Sequence, residues 1–191
     1  ELGAVALHQA GRQVSVVALP HQNLRVNQLF DGQRRRCGVE VIPLGARGST
    51  TQCLQMLRAG WLVGILGARD FNQNGVPVTF LDRVCLLPRG PAVLSLRSGV
   101  PAVPLFIVRE APWRLRFHVE PPIPPTLALG KAEPVQHLTQ LYAQSIERIV
   151  RRFPTQWMMF RPLSSVATPS GGRRMAAAVP ADEDRSCAPA S

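Results

Sequence analysis

LVGILGARD, at residues 62–70, is a short apolar run that ends on an adjacent cation and anion. Such a run is typical of a buried strand, which would deliver Arg69 and Asp70 to one edge of a sheet. Residues 88–92 read PRGPA, where a glycine followed by a proline favours the start of a helix. The free amides of a helix start attract anions, and Arg89 lies beside them. Strand, loop and helix start together predict a cleft at the end of an α/β sheet.

Strand and helix patterns alternate along the rest of the chain. Strands are predicted at residues 14–19, 39–44, 62–68, 102–109 and 114–119, and helices at residues 24–37, 50–59, 91–98 and 135–153. This alternation predicts an α/β fold with a central mixed, mostly parallel sheet flanked by helices. We expect the first four strands to share one sheet, with residues 62–68 as its central strand and the last helix packed on it. Residues 71–78 are predicted to form a loop.

The first long helix carries Val26, Leu29 and Phe30 on the side that we expect to face inward. Its last turn holds three arginines at residues 34–36, of which Arg36 is a candidate for binding substrate. The alternative is structural, because cations at the C-terminal end of a helix interact favourably with the helix dipole.

The chain is strongly basic, with a net charge of +10 and a single lysine, Lys131, among 22 basic residues. This charge indicates an anionic partner: nucleic acid, a phospholipid surface or an acidic protein. Arginine favours bidentate phosphate contacts, which suits a phosphate-bearing substrate. The alternative is a solvated basic surface without a partner. Nucleic-acid binding is disfavoured, because aromatic residues make up only 6% of the chain and no nucleic-acid motif is present.

The cysteines show neither a C-x-x-C pair nor metal-ligand spacing with the histidines. We therefore expect reduced thiols and no metal site. No apolar run approaches the roughly 18 residues that span a bilayer.

With 191 residues, 46% of them hydrophobic, the chain can form one sizeable domain, which we place at residues 1–162. Residues 163–191 are rich in Ala, Pro, Ser and Gly and are predicted to form a disordered tail.

Several short motifs follow one another between residues 1 and 161. They are ELGA at 1–4, GVEVIP at 38–43, VGIL at 63–66, RD at 69–70, PRGPA at 88–92, GVPAVP at 99–104 and QWMMFR at 156–161. In their order and spacing they resemble the lipid A biosynthesis acyltransferases of the lauroyl and myristoyl type, within the glycerolipid acyltransferase superfamily. The resemblance implies a central mixed sheet flanked by helices, with the active site in a cleft above it.

The resemblance also implies acyl transfer to a hydroxyl, which needs a base, a group that orients the base and donors for the thioester oxyanion. The family uses a histidine followed five positions later by Asp or Glu, whose carboxylate orients the imidazole. None of the four histidines here has an acid at that spacing, and only Glu1, followed by Leu-Gly, matches the motif. We therefore expect Glu1 to orient a histidine upstream of an N-terminally truncated chain, which as it stands should be inactive. The alternative is that Glu1 is an ordinary charged terminus.

Further residues are candidates for binding the substrate. They are Arg69, Asp70, Arg89, Gly90, Arg36 and Arg161. The chain departs from the family where Ala68 replaces the first acid after the strand and where Leu87 stands in place of a frequent hydroxyl residue. Asp70 is either a functional carboxylate or a plain turn residue. We expect Glu1, Asp70 and the helix start at Arg89 to converge on one concave site.

The resemblance implies transfer of a fatty acyl chain from acyl-carrier protein or coenzyme A to a hydroxyl of a glycolipid or lysophospholipid acceptor. An acidic carrier protein would suit the basic surface, and no separate cofactor or metal is implied. It also implies work on a membrane surface, at the cytoplasmic face of the bacterial inner membrane, with the anchor in the missing N-terminal part. The alternative function is a non-catalytic relative that binds lipid or a membrane surface.

Overall fold

The computed structural model describes residues 2–69 and 74–159. In chain order, its helices and strands are α1 (Leu2–Gln9), β1 (Val14–Ala18), α2 (Leu24–Arg36), β2 (Val39–Pro43), α3 (Ser49–Arg58), β3 (Leu62–Gly64), β4 (Val76–Phe80), β5 (Arg83–Leu87), α4 (Gly90–Ser98), β6 (Leu105–Ala111), β7 (Arg114–Val119) and α5 (Pro134–Arg152). Short 3₁₀ turns at Pro125–Ala128 and Pro154–Gln156 flank α5. The predicted mixed α/β class is confirmed.

The first sheet has three parallel strands in the order β2-β1-β3. Val14 of β1 lies opposite Val39 of β2 and opposite Leu62 of β3. The prediction that residues 62–68 form the central strand is therefore wrong, because β3 is an edge strand of only three residues. The chain leaves the strand after Gly64, and Leu66 is 67% exposed. Strand order is a non-local property, so an apolar run alone cannot distinguish an edge strand from a central one.

Helices are distributed over both faces of this sheet. The chain passes from β1 to β2 and then back across β1 to β3, so right-handed crossovers put α2 and α3 on opposite faces. On the face of α3, Ile42 of β2 packs with Cys53 of α3 and Leu94 of α4. Elsewhere α1 lies against β1 and β2, and a Cβ at Gly38 would collide with the ring of His8.

The strands β4 and β5 form an antiparallel hairpin that the sequence did not reveal. Its turn residues Leu81 and Asp82 have φ of +50° and +61°, as in a tight hairpin of type I′. The predicted loop at residues 71–78 is wrong in its last part, because β4 begins at Val76. Pro77 is compatible with this strand, because its carbonyl and nitrogen face away from β5, where no backbone donor is needed.

The strands β6 and β7 form a second antiparallel hairpin, with Ile107 opposite Phe117. The predicted hairpin is confirmed, but the prediction that its first strand joins the parallel sheet is wrong. In the part of the chain that the structure describes, β6 pairs only with β7. On its other edge, the side-chain amide of Gln156 accepts from the backbone N–H of Arg109 at 2.8 Å and donates to its carbonyl at 3.0 Å. This amide takes the place that a neighbouring strand would occupy.

The helix α5 is the 19-residue amphipathic helix that the sequence predicts, and it packs chiefly on the β4–β5 hairpin. The prediction that it packs on the parallel sheet is therefore wrong, because the hairpin that covers its apolar side was not predicted. Leu138, Tyr142, Ala143, Ile146 and Val150 of α5 join Val78, Phe80, Cys85 and Leu87 of the hairpin in the main hydrophobic core. Gln140 pairs with both the N–H and the carbonyl of Thr79, each at 2.8 Å. One turn earlier, Gln136 donates to the carbonyl of Pro77. Packing and these edge contacts fix α5 along β4.

The half-buried side of helix α2 differs from the predicted one, although Phe30, which was predicted to face inward, is half-buried. Leu29 is 60% exposed and Val26 38% exposed, and α2 has no buried residue. The half-buried side holds Asp31, which accepts from Asn27 and from Arg34, both at 2.9 Å. The prediction that Val26 and Leu29 face inward is therefore wrong, because packing against β2 decides which side of this helix is half-buried, and the apolar stripe in the sequence does not show where β2 lies.

The predicted tail begins beyond the last described residue, so residues 163–191 and the domain boundary at 162 stay predictions. Within the described ranges, no helix is both long and apolar enough to cross a bilayer.

Candidate functional site

The carboxyl ends of the three parallel strands meet at one edge of the sheet, which we call the carboxyl edge. From there the chain leaves β1 towards α2, whereas residues 67–69 leave β3 towards α5. Adjacent strands whose continuations diverge to opposite faces open a crevice, where ligands bind in α/β proteins. The crevice between β1 and β3 is therefore the candidate site.

Arg69 lies just beyond β3, exposed at the carboxyl edge. Before it, Gly67 and Ala68 turn inward, and Ala68 packs against the main hydrophobic core. Position 68, where the family has its first acid, therefore lies in apolar surroundings in this protein. Asp70 is outside the described residues, so its role stays a prediction.

Tyr142 of α5 connects the end of β3 with the start of α4. A Cβ built on Gly67 would lie 3.6 Å from Cε2 of Tyr142, so the backbone passes close to the ring. The Tyr142 hydroxyl donates a hydrogen bond to the carbonyl of Pro88. The residue is only 6% exposed. One buried side chain therefore holds the segment that bears Arg69 close to the segment that bears Arg89.

The sequence placed Tyr142 only among the apolar positions of α5. The missed signal is its hydroxyl, because a buried tyrosine usually finds a hydrogen-bond partner. That partner is remote in sequence, 54 residues away. The helical spacing of apolar residues therefore predicted that Tyr142 is buried, but it could not predict that its hydroxyl bonds to Pro88.

The start of α4 fits the predicted anion-binding geometry. Arg89 is the residue before the helix, and no side chain caps the first turn. Arg89 and Gly90 are exposed, and a Cβ built on Gly90 would meet no atom within 4 Å. Within the described ranges, the Arg89 guanidinium forms no ion pair. Backbone amides and a guanidinium next to open space can receive a phosphate group. Leu87, by contrast, is buried in the main core and offers no hydroxyl to this place.

The helix α1 runs from the β6–β7 hairpin to the amino edge of the sheet. Its last turn contacts Gly38, which precedes β2 and so lies at the amino edge, opposite the carboxyl edge. With eight residues, α1 extends about 12 Å from there. Near its start, a Cβ on Gly3 would lie 2.9 Å from Cδ1 of Ile107, so the β6–β7 hairpin abuts this end. Glu1 itself is outside the described residues, and its role stays a prediction.

Arg36 lies away from the crevice. Arg36 is the last residue of α2, two residues before Gly38, and therefore lies at the amino edge. Arg161 is outside the described residues. Of the predicted substrate-binding residues, the structure brings the segments of Arg69, Arg89 and Gly90 together and leaves Arg36 apart.

A cluster of side chains on α2 and in the loop before it was not predicted from the sequence. Its members are His21, Asn27, Phe30, Asp31 and Arg34. The ring of Phe30 stacks on that of His21 at 4.8 Å and lies 5.9 Å from the Arg34 guanidinium. The backbone N–H of His21 donates to Asn27, and the Arg34 side chain is only 13% exposed. This group fixes the loop that leaves β1 along one wall of the crevice.

Cys53, Cys85 and a second concavity contribute no chemistry to this site. Burial raises the pKa of the Cys53 and Cys85 thiols, which keeps them protonated and poorly nucleophilic. The concavity, about 330 Å³, lies at the start of α5 and contains none of the predicted site residues. Its lining residues are Lys131, Ala132, Glu133, Gln136, His137 and Gln140. Among the described residues, no three His, Cys, Asp or Glu side chains are grouped so as to hold a metal ion.

Comparison with known proteins supplies the family. A sequence model of the family described as bacterial lipid A biosynthesis acyltransferase matches residues 1–164. The chain is 26% identical over 136 residues to a phosphatidylinositol mannoside acyltransferase of Mycolicibacterium smegmatis. It is 29% identical over 138 residues to the proteins of that name from two strains of Mycobacterium tuberculosis. These matches cover 70% or 71% of this chain and 42% of each relative, so the chain spans less than half the length of those relatives. With the match to residues 1–164, the chain belongs to the bacterial lipid A biosynthesis acyltransferase family.

Proposed function

We propose that this chain is the part of an acyltransferase that holds the phosphate-bearing substrate during transfer of a fatty acyl chain to a hydroxyl. The observation that carries the proposal is the junction at Tyr142, which brings the segments of Arg69 and Arg89 together at the carboxyl edge. Two guanidiniums and an uncapped helix start suit a phosphate group. Family membership supplies the class of reaction.

In the reaction, the acyl group moves from the sulfur of the thioester donor to the oxygen of the acceptor hydroxyl. A base removes the proton of the acceptor hydroxyl, and the oxygen attacks the thioester carbonyl. The tetrahedral intermediate then collapses, the carbon–sulfur bond breaks, and the thiolate leaves and takes up the proton. In this proposal Glu1 orients the imidazole base, which the family motif places upstream of the sequence. Asp70 positions the acceptor, and Arg89 with the amide of Gly90 holds a phosphate.

The acceptor in this proposal is a phosphate-bearing glycolipid or lysophospholipid. The names of the relatives support this class, since a phosphatidylinositol mannoside carries sugar hydroxyls and a lipid phosphate. The donor is an acyl thioester of acyl-carrier protein or coenzyme A, without a separate cofactor or metal. We place the reaction on a membrane surface, at the cytoplasmic face of the bacterial inner membrane.

Acyl transfer with a radiolabelled palmitoyl thioester tests the proposal. We expect no turnover from the 191-residue chain alone and measurable turnover once the upstream segment is included, because loss of a general base costs about two to four orders of magnitude. In the extended protein, Arg89→Ala should raise KM for the phosphate-bearing acceptor by about 10- to 100-fold, the equivalent of a charged hydrogen bond of about 1.5–3 kcal/mol.

Arg97→Ala is the matched control, because Arg97 is an exposed arginine at the other end of α4. It should leave KM unchanged. Equal effects of the two substitutions would contradict a phosphate site at Arg89, and robust turnover by the 191-residue chain would contradict the assignment of the base.

A non-catalytic role in lipid binding is the second candidate. It is favoured by Ala68, which packs against the main core where the family has an acid. The same experiment separates the two, because a non-catalytic relative would bind the acceptor and show no turnover even with the upstream segment.

A further inference from the structure

The β6–β7 hairpin ends in a projecting indole. Trp113, in the turn between the strands, is 99% exposed, the largest exposed fraction among the exposed large hydrophobic residues that the structure describes. Tryptophan is on average one of the more buried residues. A fully solvated indole at a turn therefore calls for a partner outside the described chain.

Arginines surround this indole. Arg109 donates to the carbonyl of Pro112, so one guanidinium braces the turn. Arg114 is 71% and Arg116 59% exposed, and both pair with Glu110. The hydrogen bond from Arg116 lowers the pKa of Glu110 and keeps its carboxylate ionised. Three guanidiniums against one carboxylate leave the hairpin tip with a net positive charge.

The hairpin holds this tip away from the body of the protein. Its middle, at Ile107, abuts Gly3 of α1, and the Gln156 amide fixes its edge at Arg109. The four steps along the strand from Ile107 to Ala111 extend about 13 Å further. The tip is thus a braced projection with an indole at its end, on a hairpin that also contacts the start of α1.

We propose that residues 112–114 dock on an anionic phospholipid surface, with the Trp113 indole in the interface and the Arg114 guanidinium on lipid phosphate. Tryptophan is favoured at the membrane–water boundary, and basic residues near an anionic leaflet add attraction. The inference rests on the membrane-surface part of the proposed function and names the segment that makes the contact.

A lipid surface fits this tip better than an acidic protein does. The core of a protein interface is a packed patch of several buried side chains. Here one apolar side chain projects alone, with Pro112 and Arg114 beside it. A single indole can enter the headgroup region without a shaped counterpart, while its flanking guanidiniums remain hydrated. Positive charge at the tip is complementary to an anionic leaflet.

Sedimentation with vesicles tests the inference on the full chain. With vesicles of phosphatidylglycerol and phosphatidylcholine, Trp113→Ala should weaken binding about tenfold, and Arg114→Ala about fivefold. Pure phosphatidylcholine vesicles should bind the unaltered chain poorly. Leu129→Ala is the control, because Leu129 is 75% exposed on another segment, and it should bind as the unaltered chain does. Equal binding by Trp113→Ala, or equal binding to both vesicle types, would overturn the inference.

Fluorescence gives a second readout that does not depend on affinity. Brominated phospholipids should quench emission in the unaltered chain, and Trp113→Phe should abolish that quenching although Trp61 and Trp157 remain. Quenching that persists in Trp113→Phe would place the contact elsewhere. Because neither measurement uses acyl transfer, absence of turnover in the protein extended with the upstream segment, together with intact vesicle binding, would count against the proposed function and leave this inference standing.

Discussion

The side chain of Tyr142 joins three parts of the chain, which are the end of β3, the start of α4 and the helix α5. Its ring lies against Gly67, its hydroxyl reaches Pro88, and its backbone belongs to α5. Burial alone would hold a phenylalanine equally well in the core. The hydroxyl is therefore the group that specifies where the start of α4 lies relative to the end of β3.

Tyr142→Phe should separate positioning from stability. Loss of one hydrogen bond should cost about 1 kcal/mol in the free energy of unfolding, measured by urea denaturation. In the extended enzyme, KM for the phosphate-bearing acceptor should rise several-fold, because Arg89 is no longer held in place.

Thr139→Val is the control for this substitution. Thr139 is a buried hydroxyl on the same helix that donates only to the carbonyl of Val135, within α5. It should change stability and leave KM unaltered. A parallel rise of KM in both variants would mean that Tyr142 acts through general stability.

At the scale of elements, α5 and β4 are joined by side-chain amides as well as by apolar packing. Gln140→Ala should lower the free energy of unfolding by about 1–2 kcal/mol, because the N–H and carbonyl of Thr79 lose their protein partners. Denaturation by urea measures this. Gln144→Ala is the control, since Gln144 is exposed on the same helix. If the two variants are equally stable, water replaces the amide at β4 without loss.

The elements differ in how far local sequence predicts them. The helix α5 follows from its apolar period, and α4 from Pro91 and Gly99 at its ends. By contrast, β4 was missed because the Asn- and Gly-rich residues before it indicate a loop, and its pairing with β5 is not visible in that local signal. The inward side of α2 was wrong because the side that faces β2 depends on packing between elements, which the apolar stripe of α2 does not show. Local sequence patterns predict that a helix or strand forms, whereas the element that packs against it decides which of its sides is buried.

The candidate site likewise combines features that local sequence predicts with features that depend on contacts between distant residues. Residues 88–92 signal an anion-binding helix start by their own composition. That this start lies near the end of β3 depends on a contact between residues 54 positions apart. Arg36 is an example of a local signal that the fold does not support. The three arginines at residues 34–36 suggest a binding site in the sequence, whereas the fold puts Arg36 at the amino edge, away from the crevice.

At the scale of the whole molecule, composition predicts that residues 163–191 add nothing to the stability of the domain. A chain that ends at residue 162 should melt within about 2 °C of the full chain, by circular dichroism. A chain that ends at residue 152 should melt several degrees lower, because it also lacks Trp157, whose ring packs 5.7 Å from that of Phe80. A drop of several degrees for the first chain would show that the tail docks on the domain.

The glutamine amides at the hairpin edges also bear on self-association. The open edge of a small sheet is a template for a strand from another chain, and proteins commonly block it with lysine, proline or a bulge. Here Gln140 and Gln156 occupy the backbone groups of Thr79 and Arg109 that an incoming strand would need. Both hairpins can therefore remain two strands wide without seeding aggregation along those edges, for as long as the segment from α5 to Gln156 stays folded.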